Sequence, residues 1–165
     1  MTKILIRDNF LSEETYNAIL FDARSTKQDG SVSRHWYDYD PTPEIAQFAN
    51  YFGKKRGYRE LARFIHTATT VPNFTHKIHD EAEFKIMSAI IYLSPEKNHG
   101  TTFYIDGKQE TIEWKPNRLM IFCGETGVTW HDYKSSDETR YTYNYFLVDP
   151  TKIENEAYKD HCIRV

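Results

Sequence analysis

Phe74-Thr75-His76-Lys77-Ile78-His79-Asp80-Glu81-Ala82-Glu83-Phe84-Lys85-Ile86-Met87-Ser88-Ala89-Ile90-Ile91-Tyr92-Leu93 is the stretch on which the architecture turns. It holds two strand-like segments, 74–79 and 84–93, separated by a short acidic turn. Upstream, Leu61-Ala62-Arg63-Phe64-Ile65-His66 and the threonines after it already favour a strand. Downstream, residues 95–100 read as a polar turn, and 101–104, 110–114, 118–122, 128–131 and 141–148 as further short strands.

The amino-terminal third has a different character. Residues 3–6 alternate like a strand, and Asp8-Asn9-Phe10-Leu11-Ser12 interrupts it. Ser12 reads as a helix N-cap, with Glu13 and Glu14 in the first turn, where the helix dipole favours negative charge. Thr15 stands at the third position, so there is no reciprocal capping box. Leu11 and Tyr16 have the spacing of a hydrophobic staple. Tyr16, Ile19, Leu20 and Ala23 then form an apolar helix face. Residues 24–35, with Gly30, read as a loop or weak strand. Pro41 and Pro43 precede a second helix over 43–56, with Ile45, Phe48 and Phe52 on one side.

Helices first and strands after predict a mostly β domain with flanking α-helices: a curled antiparallel sandwich or barrel braced on one outer face. One domain over 1–150 is expected, with 151–165 as a tail or packed short helix around Ile153 and Tyr158. At 165 residues the chain is long enough to bury a substantial core. A net charge of -3 does not favour nucleic-acid binding. The Lys54, Lys55, Arg56 and Arg59 cluster reads as a solvated helix end. Cys123 and Cys162 have no metal or redox spacing, Cys123 reading as a buried thiol. Neither a signal peptide nor a membrane-spanning run is seen, so a cytoplasmic location is expected. The sequence says nothing about oligomerisation.

Chemistry concentrates in three places: Lys77-Ile78-His79-Asp80-Glu81, Trp130-His131-Asp132 and Thr139-Arg140-Tyr141-Thr142. On a strand, His79 and Glu81 share a face while Asp80 points elsewhere; Asp80 replaces Glu81 as a ligand only if the backbone bends after His79. Two imidazoles and a carboxylate leave three coordination positions open, the requirement of a non-haem iron(II) centre. Arg140 and Thr142 share a strand face and suit a carboxylate, through paired guanidinium hydrogen bonds and a hydroxyl. Trp130 and Asp132 are candidates to support His131. Trp36-Tyr37-Asp38-Tyr39 suits an entrance loop, and Lys77 shares alternation with His79. His35, His66 and His76 read as structural or surface residues.

Taken together, residues 61–148 resemble the iron(II)- and 2-oxoglutarate-dependent dioxygenases, in particular the small prolyl-4-hydroxylase-like and phage-type members. His79-Asp80-Glu81 is similar to the family's HxD or rarer HxE element. Ile90-Ile91-Tyr92-Leu93-Ser94-Pro95, Gly100-Thr101-Thr102-Phe103-Tyr104 and Pro116-Asn117-Arg118-Leu119-Met120-Ile121-Phe122 resemble the strands and turns that follow. His131 matches the distal ligand, and Arg140-Tyr141-Thr142 the cosubstrate-binding segment. The resemblance implies a distorted double-stranded β-helix, or jelly roll, with iron(II) held by His79, Glu81 and His131. It implies 2-oxoglutarate and dioxygen as cosubstrates, the former anchored by Arg140 and Thr142. Hydroxylation of a peptide, a protein side chain or a small molecule would accompany release of succinate and carbon dioxide. A cupin-like metalloenzyme that does not use 2-oxoglutarate and a noncatalytic jelly roll are the alternatives.

Overall fold

The computed structural model describes residues 4–124 and 126–164. Lys3, expected to open the first strand, and Val165, at the end of the expected tail, lie outside them. Two antiparallel sheets face each other across one core. The larger runs in the order β1 (Ile4–Arg7), β8 (Leu119–Cys123), β5 (Lys85–Ser94), β10 (Arg140–Val148), β3 (Ala62–Thr70) and β11 (Ile163–Arg164), with β2 (Val32–Trp36) also paired to β3. The smaller runs β4 (Thr75–His79), β9 (Trp130–Lys134), β6 (Thr101–Ile105) and β7 (Lys108–Ile112). This is the expected jelly roll.

Alternation divides the large sheet cleanly. On β10, Tyr143, Tyr145 and Leu147 pack with Ile65, Ala89 and Ile91 beneath the helices. Arg140, Thr142, Asn144 and Phe146 project from the other face into the space between the sheets. Helices α1 (Glu13–Ser25) and α2 (Pro43–Lys55) cover the outer face through Ile19, Leu20, Ala23, Ile45 and Ala49. Each fully buried Ile or Leu there contributes about 1.5–3 kcal/mol. Ser12 caps α1 as expected, its hydroxyl accepting from the Thr15 backbone N–H at 3.2 Å. The Lys54–Arg59 basic residues are exposed, as a solvated helix end should be.

Three elements depart from the sequence reading. Strand β7 starts at Lys108, two residues early, because Asp106 and Gly107 both take positive φ (52° and 73°) in a two-residue hairpin turn. That turn pairs Ile105 with Lys108 and sets the register of the hairpin. Strand β9 runs over Trp130–Lys134, later than 128–131. The tail contains the expected short helix, α3 (Glu156–Lys159), but also β11, which pairs Ile163 and Arg164 with Arg63 and Ala62. No helix among the described residues is long and apolar enough to cross a membrane.

Candidate metal centre

His79, at the end of β4, and His131, on β9, are register partners, with ring centroids 4.2 Å apart. Both rings are held the same way. Nδ1 of His79 lies 2.9 Å from the Lys77 carbonyl oxygen, and Nδ1 of His131 lies 2.8 Å from that of Thr129. A carbonyl only accepts, so Nδ1 carries the proton and Nε2 keeps its lone pair. Burial is the main reason the His79 pKa falls to about 4, and burial also lowers that of His131. Both are therefore neutral at pH 7, the form a metal ligand requires.

Glu81 is 5% exposed. Its Oε1 accepts from Ser88 Oγ at 2.9 Å and stands 4.0 Å from His131 Nε2. Its Oε2 accepts from Lys85 Nζ. Burial alone would raise the carboxyl pKa, but the Lys85 ammonium and the Ser88 hydroxyl help bring it below its ordinary value. Strand β4 stops at His79, so the alternation argument does not account for the position of Glu81; its contacts with Ser88 and Lys85 on β5 hold it. Asp80 is turned away: its carboxylate accepts from the backbone N–H groups of Glu81 and Gly127.

At the opposite end of the site, Arg140 is 4% exposed. Its guanidinium lies over Tyr133 at 4.3 Å, Trp114 at 5.0 Å and Tyr92 at 5.5 Å. No carboxylate among the described residues pairs with it, and its Nε has no hydrogen-bond partner. Thr142, on the same strand face, accepts from Asn144 Nδ2 at 3.2 Å. His79, Glu81, His131, Arg140 and Thr142 all line one cavity of about 300 Å³. Among the described residues, however, no three His, Cys, Asp or Glu side chains are gathered so that they could hold a metal ion as they stand. The Lys85 and Ser88 contacts occupy the carboxylate; a dication would share Oε1 with Ser88.

The same cavity contains residues that sequence reasoning placed elsewhere. A register shift between His76 and His79 puts residues three apart on one side, with ring centroids 4.0 Å apart. His76 therefore lines the cavity, as does the buried His66, although both read as structural or surface residues. Lys77 is exposed and outside it, because the irregularity breaks the alternation. Of the expected entrance loop only Trp36 reaches the cavity; Tyr37 is buried and bonds Asp22 at 2.8 Å. Phe103 and Phe122, not Trp130, pack on His131, and Trp130 is 43% exposed. Asp132 accepts from the Tyr104 hydroxyl at 2.9 Å. Cys123 is half-buried and free.

No protein-family model and no curated protein matches the chain. Solved structures do. A prolyl-4-hydroxylase from Pseudomonas putida is similar with a TM-score of 0.74 at 13% identity, over 89% of this chain and 93% of that one. A prolyl hydroxylase from Trichoplax adhaerens, solved with a peptide fragment of hypoxia inducible factor, gives 0.73 at 15% identity over 92% and 86%. A viral collagen prolyl hydroxylase from Paramecium bursaria Chlorella virus-1, in a 2-oxoglutarate complex, gives 0.68 at 13% identity over 89% and 96%. The chain has the jelly-roll fold of the small prolyl-4-hydroxylase-like 2-oxoglutarate oxygenases.

Proposed function

We propose that the protein is an iron(II)- and 2-oxoglutarate-dependent oxygenase that hydroxylates its substrate. The observation that carries this reading is Arg140: a guanidinium buried among three aromatic rings with no carboxylate partner among the described residues. Burying an unpaired cation is costly, and a bound dicarboxylate supplies the missing partner. A cupin-like metalloenzyme without a keto-acid cosubstrate would have no use for it.

In residue type and protonation the donor set suits iron(II), although the three groups are not gathered closely enough to hold an ion as they stand. Two neutral imidazoles with Nε2 free and one ionised carboxylate suit a facial triad. His79, Glu81 and His131 would hold the ion, their rings oriented by the Lys77 and Thr129 carbonyls and the carboxylate by Ser88. Arg140 and Thr142 would bind the distal carboxylate of 2-oxoglutarate. Iron and keto acid together supply oxygen activation, coupled to succinate and carbon dioxide release. The protein positions the partners, keeps the ligand protons on Nδ1 and shields the site between two sheets. A structural relative that holds a peptide fragment offers a precedent for a peptide substrate, and a small molecule is equally compatible with the cavity.

The test combines anaerobic protein, iron(II), 2-oxoglutarate and candidate substrates, followed by oxygen. Succinate should form in step with a product heavier by about 16 Da, the mass of one inserted oxygen. Absence of metal-dependent 2-oxoglutarate binding by calorimetry would sink the proposal.

A further inference from the structure

We propose that His66 and Asn144 form a second recognition point in this cavity, which reads an uncharged N–H donor, and that the substrate is a neutral amide on an apolar or aromatic body. The proposal deepens the oxygenase reading above and rests on it.

His66 on β3 and Asn144 on β10 are direct register partners and lie on the face that carries Arg140 and Thr142. They are 5% and 7% exposed, and both line the cavity. His66 Nδ1 lies 3.1 Å from the Thr67 carbonyl oxygen, which can only accept. The proton is therefore on Nδ1, and Nε2 is a lone-pair acceptor. No hydrogen bond from a described residue ends on that atom. Burial, aided by the Arg34 charge, lowers the His66 pKa to about 3, so the ring stays neutral.

Asn144 follows from Thr142. A carboxylate held by Thr142 takes the hydroxyl proton, so the Thr142 oxygen must accept from Asn144 Nδ2, as the 3.2 Å contact shows. The Asn144 amide oxygen is then left as the free end. Two neighbouring acceptors that face the cavity, with no hydrogen bond from a described residue, suit a donor on the ligand, which would replace the water they otherwise meet.

The surroundings define the rest of the molecule. Trp36 stands edge-on to His66 at 4.7 Å and Phe146 lies at 5.7 Å. Phe64, Phe84 and Tyr158 extend the aromatic wall. Charge disfavours an ammonium: Arg34, Lys85 and Arg140 line the cavity, and the one carboxylate among its described residues, Glu81, is already engaged by Lys85. A carboxamide satisfies both acceptors without adding a fourth positive charge.

The test is calorimetry of protein loaded with Mn(II) and 2-oxoglutarate, titrated with benzamide and with acetophenone, which replaces the NH2 by CH3. Benzamide should bind roughly tenfold or more tightly, the discrimination expected of a site left with an unmet hydrogen bond. His66→Phe should erase the preference, His66→Gln should keep part of it, and Asn144→Leu should reduce it. Mn(II)-dependent 2-oxoglutarate binding by His66→Phe within about twofold of wild type would show an intact fold. Equal affinities in wild type, or a preference that survives His66→Phe, overturns the proposal. An amide preference without any metal-dependent 2-oxoglutarate binding would instead overturn the oxygenase reading and leave only the His66 acceptor standing.

Discussion

The two ends of the cavity treat buried charge in opposite ways. At one end Glu81 is fully provided for, with Lys85 on one oxygen and Ser88 on the other. At the other, Arg140 lies between aromatic rings with no counter-ion among the described residues. A satisfied carboxylate does not need a metal to stay buried, and its partner competes with one. An unsatisfied guanidinium gains from an anion with little protein rearrangement. On this contrast, cosubstrate affinity should depend steeply on Arg140, and metal affinity should be moderated by Lys85.

The largest effect should come from the His pair that lies between these ends. His131→Ala should lower metal affinity by more than about 100-fold and abolish coupled succinate formation, because losing even the hydrogen-bond partner of a ligand costs roughly 10–100-fold. Metal titration with Mn(II) reads this directly.

Arg140→Met should weaken 2-oxoglutarate binding by about 2–4 kcal/mol, roughly 30- to 1000-fold, the range for truncating one partner of a buried charge pair. The sharper expectation is in the unliganded protein. There Arg140→Met should leave chemical stability unchanged or raise it by about 1 kcal/mol, since it removes a buried cation held only by aromatic faces and the Tyr92 hydroxyl among the described residues. Marked destabilisation in a urea titration would mean that Arg140 already has all the partners it needs.

Lys85→Met tests the other end. The dication would no longer share Glu81 with an ammonium, so Mn(II) affinity should rise by about tenfold. The metal-free protein should lose about 2 kcal/mol, from stranding a buried carboxylate. Weaker metal binding by this variant would show that Lys85 positions the ligand more than it competes.

The last test lies in acid. His66 and His79 are held neutral in the fold, with pKa values of about 3 and 4. The unfolded chain, near 6.5, takes up these protons first as pH falls. Stability should therefore decline as pH drops from about 6.5 towards 4, and be fully present above that window. His66→Phe should reduce the slope of unfolding free energy against pH by about one proton in this interval. An unchanged slope would mean that His66 titrates normally in the fold.

Much of this architecture was readable from local patterns. The apolar alternation of 61–70, 84–93 and 141–148 marks the strands that became β3, β5 and β10. Ser12 with Glu13 and Glu14, and Pro43 with Ile45, mark the starts of α1 and α2. The cavity side chains were harder. His79 and His131 stand out through the His79-Asp80-Glu81 spacing and its order with His131 and Arg140-Tyr141-Thr142. His66 and His76 carry no such signal: one sits in an ordinary buried strand, and the other reaches the cavity only through an irregularity in β4. Strand β11 is two residues long, too short for any periodicity.

By itself the sequence determined the order of helices and strands, the alternation that assigns each strand a core face and a cavity face, and the candidate ligands. Those depend on the nearest few residues, where backbone geometry imposes fixed periods. Only the tertiary structure decided that Glu81 faces the cavity while Asp80 turns to Gly127, that Lys85 takes the carboxylate, and that Arg140 has no carboxylate partner among the described residues. Those outcomes depend on which distant strands become neighbours and on how little water reaches between them. No local pattern carries that information.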